Sequence, residues 1–130
     1  MAMRVLLDTH VLLWWLLDED VISPAARTAI ADEANDTFVS AASVWEIAIK
    51  YKTGKLPSAT PLMANLENAV LDEGFDGMPI TLRHGELAGS LPLRHKDPFD
   101  RMLIAQALAE SLTLVSNERL FDNYGVVRLW

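Results

Sequence analysis

Cysteine is absent from the chain, which excludes disulfides and any metal held by thiolates. Carboxylates and three histidines are left as the ligating side chains. There is also no apolar run long enough to span a bilayer. Asp8 and His10 interrupt the hydrophobic start, and the unbroken stretch Val11 to Leu17 falls well short of the roughly 20 residues a spanning helix needs. No small-residue cleavage site follows that stretch, so neither a secretory signal nor a membrane anchor is expected, and a soluble cytoplasmic protein is. Basic residues are in the minority, with 11 Lys and Arg against 18 Asp and Glu and a formal charge of −7. That balance weighs against a nucleic-acid binder of the ordinary basic kind. It does not weigh against a nuclease that works through metal ions, because such a site must gather carboxylates, and the bound cations reverse the local field. An acidic surface also suits a basic protein partner.

What remains is ample for one core. The chain has 130 residues and 51% of them are hydrophobic, which predicts a single domain over 1–130 without staples. "MRVLLD" reads as a buried strand ending in an acid, and "THVLLWWLL" follows as a helix with no turn between them. "SPAARTAIADEA" starts a helix with Ser23 as N-cap and Pro24 at the first position. "TFVS" is a second strand, and "AASVWEIAIKYKTGKL" is a helix stopping near Gly54. "PLMANLENAVLDEG" reads as a further helix closed by Gly74, "MPIT" as a strand and "LRHGELAGSL" as a short helix. "DPFDRMLIAQALAE" is a helix, "LTLVS" a strand, "ERLFDNYG" a helical turn and "VVRLW" a last strand. Strands alternating with helices predict a parallel α/β sheet covered on both faces, which presents its ligand site at the carboxyl ends of the strands.

Acids fall repeatedly at that edge. Asp8 closes the first strand, Glu46 lies on the helix after the second, Asp97 and Asp100 open a helix, and Glu118 follows "LTLVS". Each also has an ordinary structural reading. Asp8 can serve a strand–helix junction. Glu46 stands three after Ser43, as in a capping box, and four before Lys50, as in a helix ion pair. Asp97 before Pro98 is an N-cap, Asp100 meets the helix dipole, and Glu118 can be a solvated acid. His95 can order the loop before Asp97, His84 reads as structural, and Trp14 and Trp15 read as core and rim. Taken singly these suffice, but they leave unexplained why four elements bring acids to one edge. Converging carboxylates repel one another and call for a cation. An all-oxygen set points to a hard ion, Mg²⁺ or Mn²⁺, able to activate water and stabilise a leaving oxygen in phosphodiester cleavage.

Four stretches, "RVLLDTHVLLWWL", "SAASVWEIAIKYKTGKL", "HKDPFDRMLIAQALAE" and "LTLVSNERLFDNYGVVRLW", in that order over nearly the whole chain, resemble the PIN-domain ribonucleases, specifically the VapC toxins of bacterial type II toxin–antitoxin systems. The resemblance implies a three-layer fold with a twisted parallel sheet of four to five strands between helices. It implies a Mg²⁺- or Mn²⁺-dependent endoribonuclease, a homodimer, and inhibition by a cognate antitoxin. Asp8, Glu46 and Asp100 match the catalytic, metal-holding acids. Asp97 matches an auxiliary acid, and Glu118 falls where many members carry aspartate, one carbon shorter. Lys50, Lys96, Arg101 and Asn117 are the candidates for RNA contact; Lys96 with Arg101, and Lys50 with Lys52 and Lys55, form two basic groups that offer an RNA path, the structural alternative being solvated helix ends. Two other readings compete: a PIN-like interaction module without catalysis, and a phosphotransfer protein with Asp8 as phosphoacceptor.

Overall fold

Strand β1 (Arg4–Leu7) sits at the middle of a five-stranded sheet and pairs in parallel on both sides, with β2 (Asp36–Ser40) and β4 (Thr113–Val115). β3 (Asp76–Met78) continues the sheet beyond β2, and β5 (Arg128–Leu129) continues it beyond β4, giving the order β3-β2-β1-β4-β5 with every pair parallel. The computed structural model describes residues 2–130. Its helices are α1 (Thr9–Leu16), α2 (Pro24–Ala31), α3 (Ala41–Lys52), α4 (Leu66–Leu71), α5 (Leu82–Ser90) and α6 (Pro98–Glu110). The first half of the chain builds outward from β1 to β3, and the second half crosses back to build β4 and β5 on the other side. Such a reversal opens a crevice beyond the carboxyl end of β1, the place where open α/β sheets hold ligands. No helix among the described residues is long and apolar enough to cross a membrane.

The alternation of β1 shows how the sheet divides the core. Val5 and Leu7 pack with Val11, Leu12, Val39 and Ile47 on one face, while Leu6 packs with Leu103, Ile104, Leu114 and Phe121 on the other. With both faces covered, the strand reads as a continuous apolar run. Trp14 and Trp15 are half-buried against the first of these clusters, as core and rim residues.

Local capping follows the sequence at two helices and departs from it at a third. Ser23 Oγ accepts the Ala26 N–H at 3.2 Å ahead of Pro24. Asp97 Oδ1 accepts the N–H groups of Phe99 and Asp100 at 2.9 and 3.0 Å ahead of Pro98. The capping box expected from Ser43 and Glu46 does not form. Ser40, the last residue of β2, is the cap of α3 and accepts from Ala42 N–H at 3.0 Å, which moves Ser43 into the helix. The helix expected across "PLMANLENAVLDEG" is split. Pro57–Leu62 forms a 3₁₀ turn, and a new helix starts only where Asn65 accepts from Asn68 N–H at 3.0 Å. The third strand lies earlier than "MPIT", because Pro79 has no N–H to give to the ladder and pairing stops at Met78.

Asp97→Ala removes an acceptor that serves two helix-end donors and is expected to cost about 0.5–2 kcal/mol, whereas Asp97→Asn should stay near the parent value because asparagine caps comparably. Urea unfolding of the three proteins checks this; equal losses in both variants would show that capping is not what Asp97 contributes.

Candidate active site

Asp8 is the first residue past β1, and its backbone continues the sheet by donating to Val115 O at 3.0 Å. Its side chain does not cap α1. It accepts instead from Ser116 Oγ at 2.7 Å, and Ser116 is likewise the first residue past its strand, β4. Adjacent parallel strands therefore place these two side chains in contact beyond the sheet. Asp8 is only 4% exposed. Burial pushes its carboxyl up to about 6, and the nearby charge of Asp100 adds to the rise. The Ser116 hydroxyl, the proximity of His10 and the Thr9 N–H oppose it.

Glu46 reaches the same region from α3 and is 3% exposed. Lys50, one turn on, lies 2.5 Å from Glu46 Oε2, while Oε1 is buried with no hydrogen-bond partner. The Glu46 contact holds the Lys50 ammonium above its ordinary range, helped by the charges of Asp97 and Asp100. Ser43, one turn before Glu46, accepts from Thr9 Oγ1 at 2.9 Å and ties α3 to α1. Asp100 arrives on the first turn of α6, where His95 Nε2 lies 2.7 Å from its Oδ2. Partial burial raises the Asp100 carboxyl; Asp97 and Glu46 raise it further, against the His95 contact. Asp100 thus links the group: Asp8 feels its charge, and it feels the charges of Asp97 and Glu46.

The donor set suits a hard divalent cation: it is all oxygen, it is short of positive charge, and one buried carboxylate oxygen lacks any partner. The carboxylates nonetheless face separate neighbours, Ser116, Lys50 and His95. Among the described residues no three acids or histidines close on one point as metal ligands do. A cation would supply in one place the compensation now drawn from those three.

The remaining sequence candidates divide. Asp97 is at the site and caps α6 through Oδ1. Glu118 and Asn117 are exposed, and the charge of Glu118 bears on Arg128 rather than on the acid group. Lys96 is exposed beside Asp97. Arg101 does not face solvent, contrary to the expectation that it meets RNA. It is 7% exposed, and its guanidinium donates to the carbonyls of Pro92, His95, Ala88 and Leu91 at 2.9, 3.0, 2.7 and 2.7 Å. Those bonds pin the chain between α5 and α6, the segment that carries His95. Sequence reading gave no site role to His95, although it stands five residues before Asp100 across a capped Asp-Pro turn. It also missed Ser116, whose signal was its position closing "LTLVS" as Asp8 closes "RVLLD". Trp45 and Phe99, each one residue ahead of a candidate acid, meet edge to face at 5.0 Å and join α3 to α6, with Trp45 58% exposed. No local pattern marks that contact.

Comparison with known proteins agrees with this layout. A family model described as a PIN domain matches residues 5–127. The chain is 33% identical over 116 residues to Ribonuclease VapC22 of Mycobacterium tuberculosis, covering 88% of this chain and 87% of that protein. It is 51% identical over 62 residues to Ribonuclease VapC16 of the same organism, covering 48% of this chain and 43% of that protein. The fold is also that of the crystal structure of VapBC2 from Rickettsia felis bound to a promoter DNA fragment, with a TM-score of 0.70 at 15% identity over 98% of this chain and 99% of that one. FitAcB from Neisseria gonorrhoeae gives 0.62 at 16% identity, over 97% and 96%.

The raised carboxyl of Asp8 has a consequence for stability without divalent ions. Its folded value, about 6, lies above the unfolded value of 3.8, so the folded state holds the proton more tightly between them. Stability from this group is therefore intact below pH 3.8 and is lost as pH rises through about 6. Asp8→Asn removes the dependence. In chelator, the variant should gain on the parent progressively from about pH 4 to 6, reaching on the order of 3 kcal/mol. Denaturant unfolding at a series of pH values reads this, and a stability difference that does not change over the interval would contradict it.

Proposed function

The chain belongs to the PIN-domain family, among relatives of the VapC ribonucleases, and on that premise we propose that it is the toxin of a type II toxin–antitoxin system, a metal-dependent endoribonuclease held in check by a cognate antitoxin. The observation that supports the reading is that Asp8, at the end of β1, feels the charge of Asp100, which in turn feels that of Glu46. Two of these carboxyls are pushed upward, and the third has a buried oxygen without a partner. In this reading the three hold Mg²⁺ or Mn²⁺, with Asp97 alongside and Glu118 at most an outlying helper. The cation, when bound, supplies an activated water and a stabilised leaving oxygen for hydrolysis of the phosphodiester. The protein's own part is positional. Ser116 fixes Asp8, His95 fixes Asp100, and Lys50 restrains Glu46. The exposed Lys96 and Asn117, together with Lys50, stand where an RNA strand can be met, and a homodimer is the proposed assembly. Phosphotransfer through Asp8 fits poorly, since a phosphoacceptor must be reachable and Asp8 is almost wholly buried.

Single-stranded RNA should be cut internally in Mg²⁺ or Mn²⁺ and left intact in EDTA, with activity returning when metal is restored. Asp100→Asn and Glu46→Gln should fold and fall to near background, and Asp97→Asn should keep more activity than Asp100→Asn. His95→Ala, which removes the partner of a ligating carboxylate, is expected to lose about 10–100-fold. Gel analysis of labelled RNA with mapped product ends measures all of these. Cleavage that persists in chelator would overturn the metal assignment.

A further inference from the structure

The chain has four lysines, and three of them, Lys50, Lys52 and Lys55, fall within six residues at the end of α3. The way the helix stops decides where they point. Thr53 caps the helix, and Gly54 takes a left-handed conformation at φ 78°, which favours glycine. The Gly54 N–H then donates to Tyr51 O at 3.0 Å and the Lys55 N–H to Lys50 O at 2.8 Å. This pair of bonds is a Schellman turn, and it folds Lys55 back beside the last turn of α3. Facing it, His10 leaves the first turn of α1, with its ring 6.0 Å from that of Trp14.

Between these elements lies a cleft of about 230 Å³ whose polar wall is Thr9, His10, Glu46, Lys50 and Lys55. Its charge balance differs from that of the whole chain: two lysines and a histidine face one carboxylate. Lys50 is paired with that carboxylate, whereas no ion pair among the described residues involves His10 or Lys55. Glu46 belongs both to this cleft and to the acid group, so the cleft adjoins the proposed site of hydrolysis.

We propose that the His10–Lys50–Lys55 cleft is a phosphate subsite, taking a backbone phosphate of the RNA strand next to the one that is cut. The inference rests on the ribonuclease reading and adds to it a location and two residues, His10 and Lys55, that the catalytic acids do not call for. The acid group cannot by itself hold a polyanion, and the cleft places free positive charge beside it. Each phosphate so neutralised releases counterions from the strand, so the affinity carries a salt dependence of about −0.7 per contact for single-stranded RNA.

The experiment is fluorescence anisotropy with a short labelled single-stranded RNA, in an Asp100→Asn background to prevent cleavage, at several potassium chloride concentrations. Lys55→Met should weaken binding and make the slope of log affinity against log salt shallower by about 0.7. His10→Ala should weaken binding at every salt concentration, while Arg83→Met, on α5, should keep the background affinity and slope. Thermal melting establishes that each variant is folded. An unchanged slope in Lys55→Met overturns the subsite, whatever His10→Ala does. A loss with Lys55→Met but none with His10→Ala supports the subsite and removes His10 from it. RNA cleavage by the parent protein in Mn²⁺ is measured separately, so failure of the ribonuclease reading shows as intact RNA, distinct from failure of the subsite.

Discussion

A carboxylate buried at the end of the central strand has to be carried by everything around it. Asp8 is nearly inaccessible, and burial raises its carboxyl to about 6, so its ionised form is disfavoured where it sits. The rest of the arrangement is a partial answer to that cost. Pairing of β1 with β4 brings Ser116 to within 2.7 Å, and the start of α1 supplies the Thr9 N–H. The approach of α6 works in the opposite direction, because Asp100 adds repulsion. A fold concerned only with stability would put a neutral side chain at this position. Keeping the acid there makes sense when a cation completes the group.

The same logic separates Arg101 from the residues around it. An arginine one position after a candidate ligand invites a role in binding phosphate. Its guanidinium is instead spent on four backbone carbonyls between Ala88 and His95. Carbonyls of an irregular segment have no ladder to satisfy them, and leaving several buried without partners would cost more than burying one well-bonded cation. The planar fork suits this task, since its N–H groups point in fixed directions. Its effect on the site is indirect. The clamped segment carries His95, and His95 holds Asp100.

These contrasts show what a linear reading can reach. Asp8, Ser23-Pro24 and Asp97-Pro98-Asp100 were legible because each is a local device: an acid closing an apolar run, or a cap followed by proline at its ordinary spacing. The alternation of strand and helix was legible for the same reason, and it led to the parallel sheet. Boundaries that depend on a neighbour were not legible. Ser40 rather than Ser43 caps α3, because β2 runs on until its register with β3 ends at Ser40 and Met78. The break before α4 turns on the side chain of Asn65, one of many polar residues in that stretch. Arg101, His95 and the Trp45–Phe99 contact depend on the packing of α3, α5 and α6, which no spacing within one element encodes. The acids of the site were visible one at a time, as was the Glu46–Lys50 pair one helical turn apart; Ser116 and His95, which orient Asp8 and Asp100, were not.

The negative charge of the whole chain and the proposed handling of a polyanion are compatible once distance is considered. At physiological ionic strength a charge is screened over about 8 Å, so a strand lying on one face responds to the groups on that face and little to the total of −7. Near Glu46 the sign is set by sequence neighbours brought together by one glycine turn, with Lys55 folded back beside Lys50. Lys50 feels the charges of Asp97 and Asp100 as well as that of Glu46, and Lys55 lines the adjoining cleft with it. In the proposed reading one face does two opposed things: it takes a cation at the carboxylates and a phosphate at the cleft beside them. Had Lys55 followed the helix axis instead of turning back, its charge would extend beyond the end of α3, and Glu46 would face the cleft with only Lys50 and His10 to offset it.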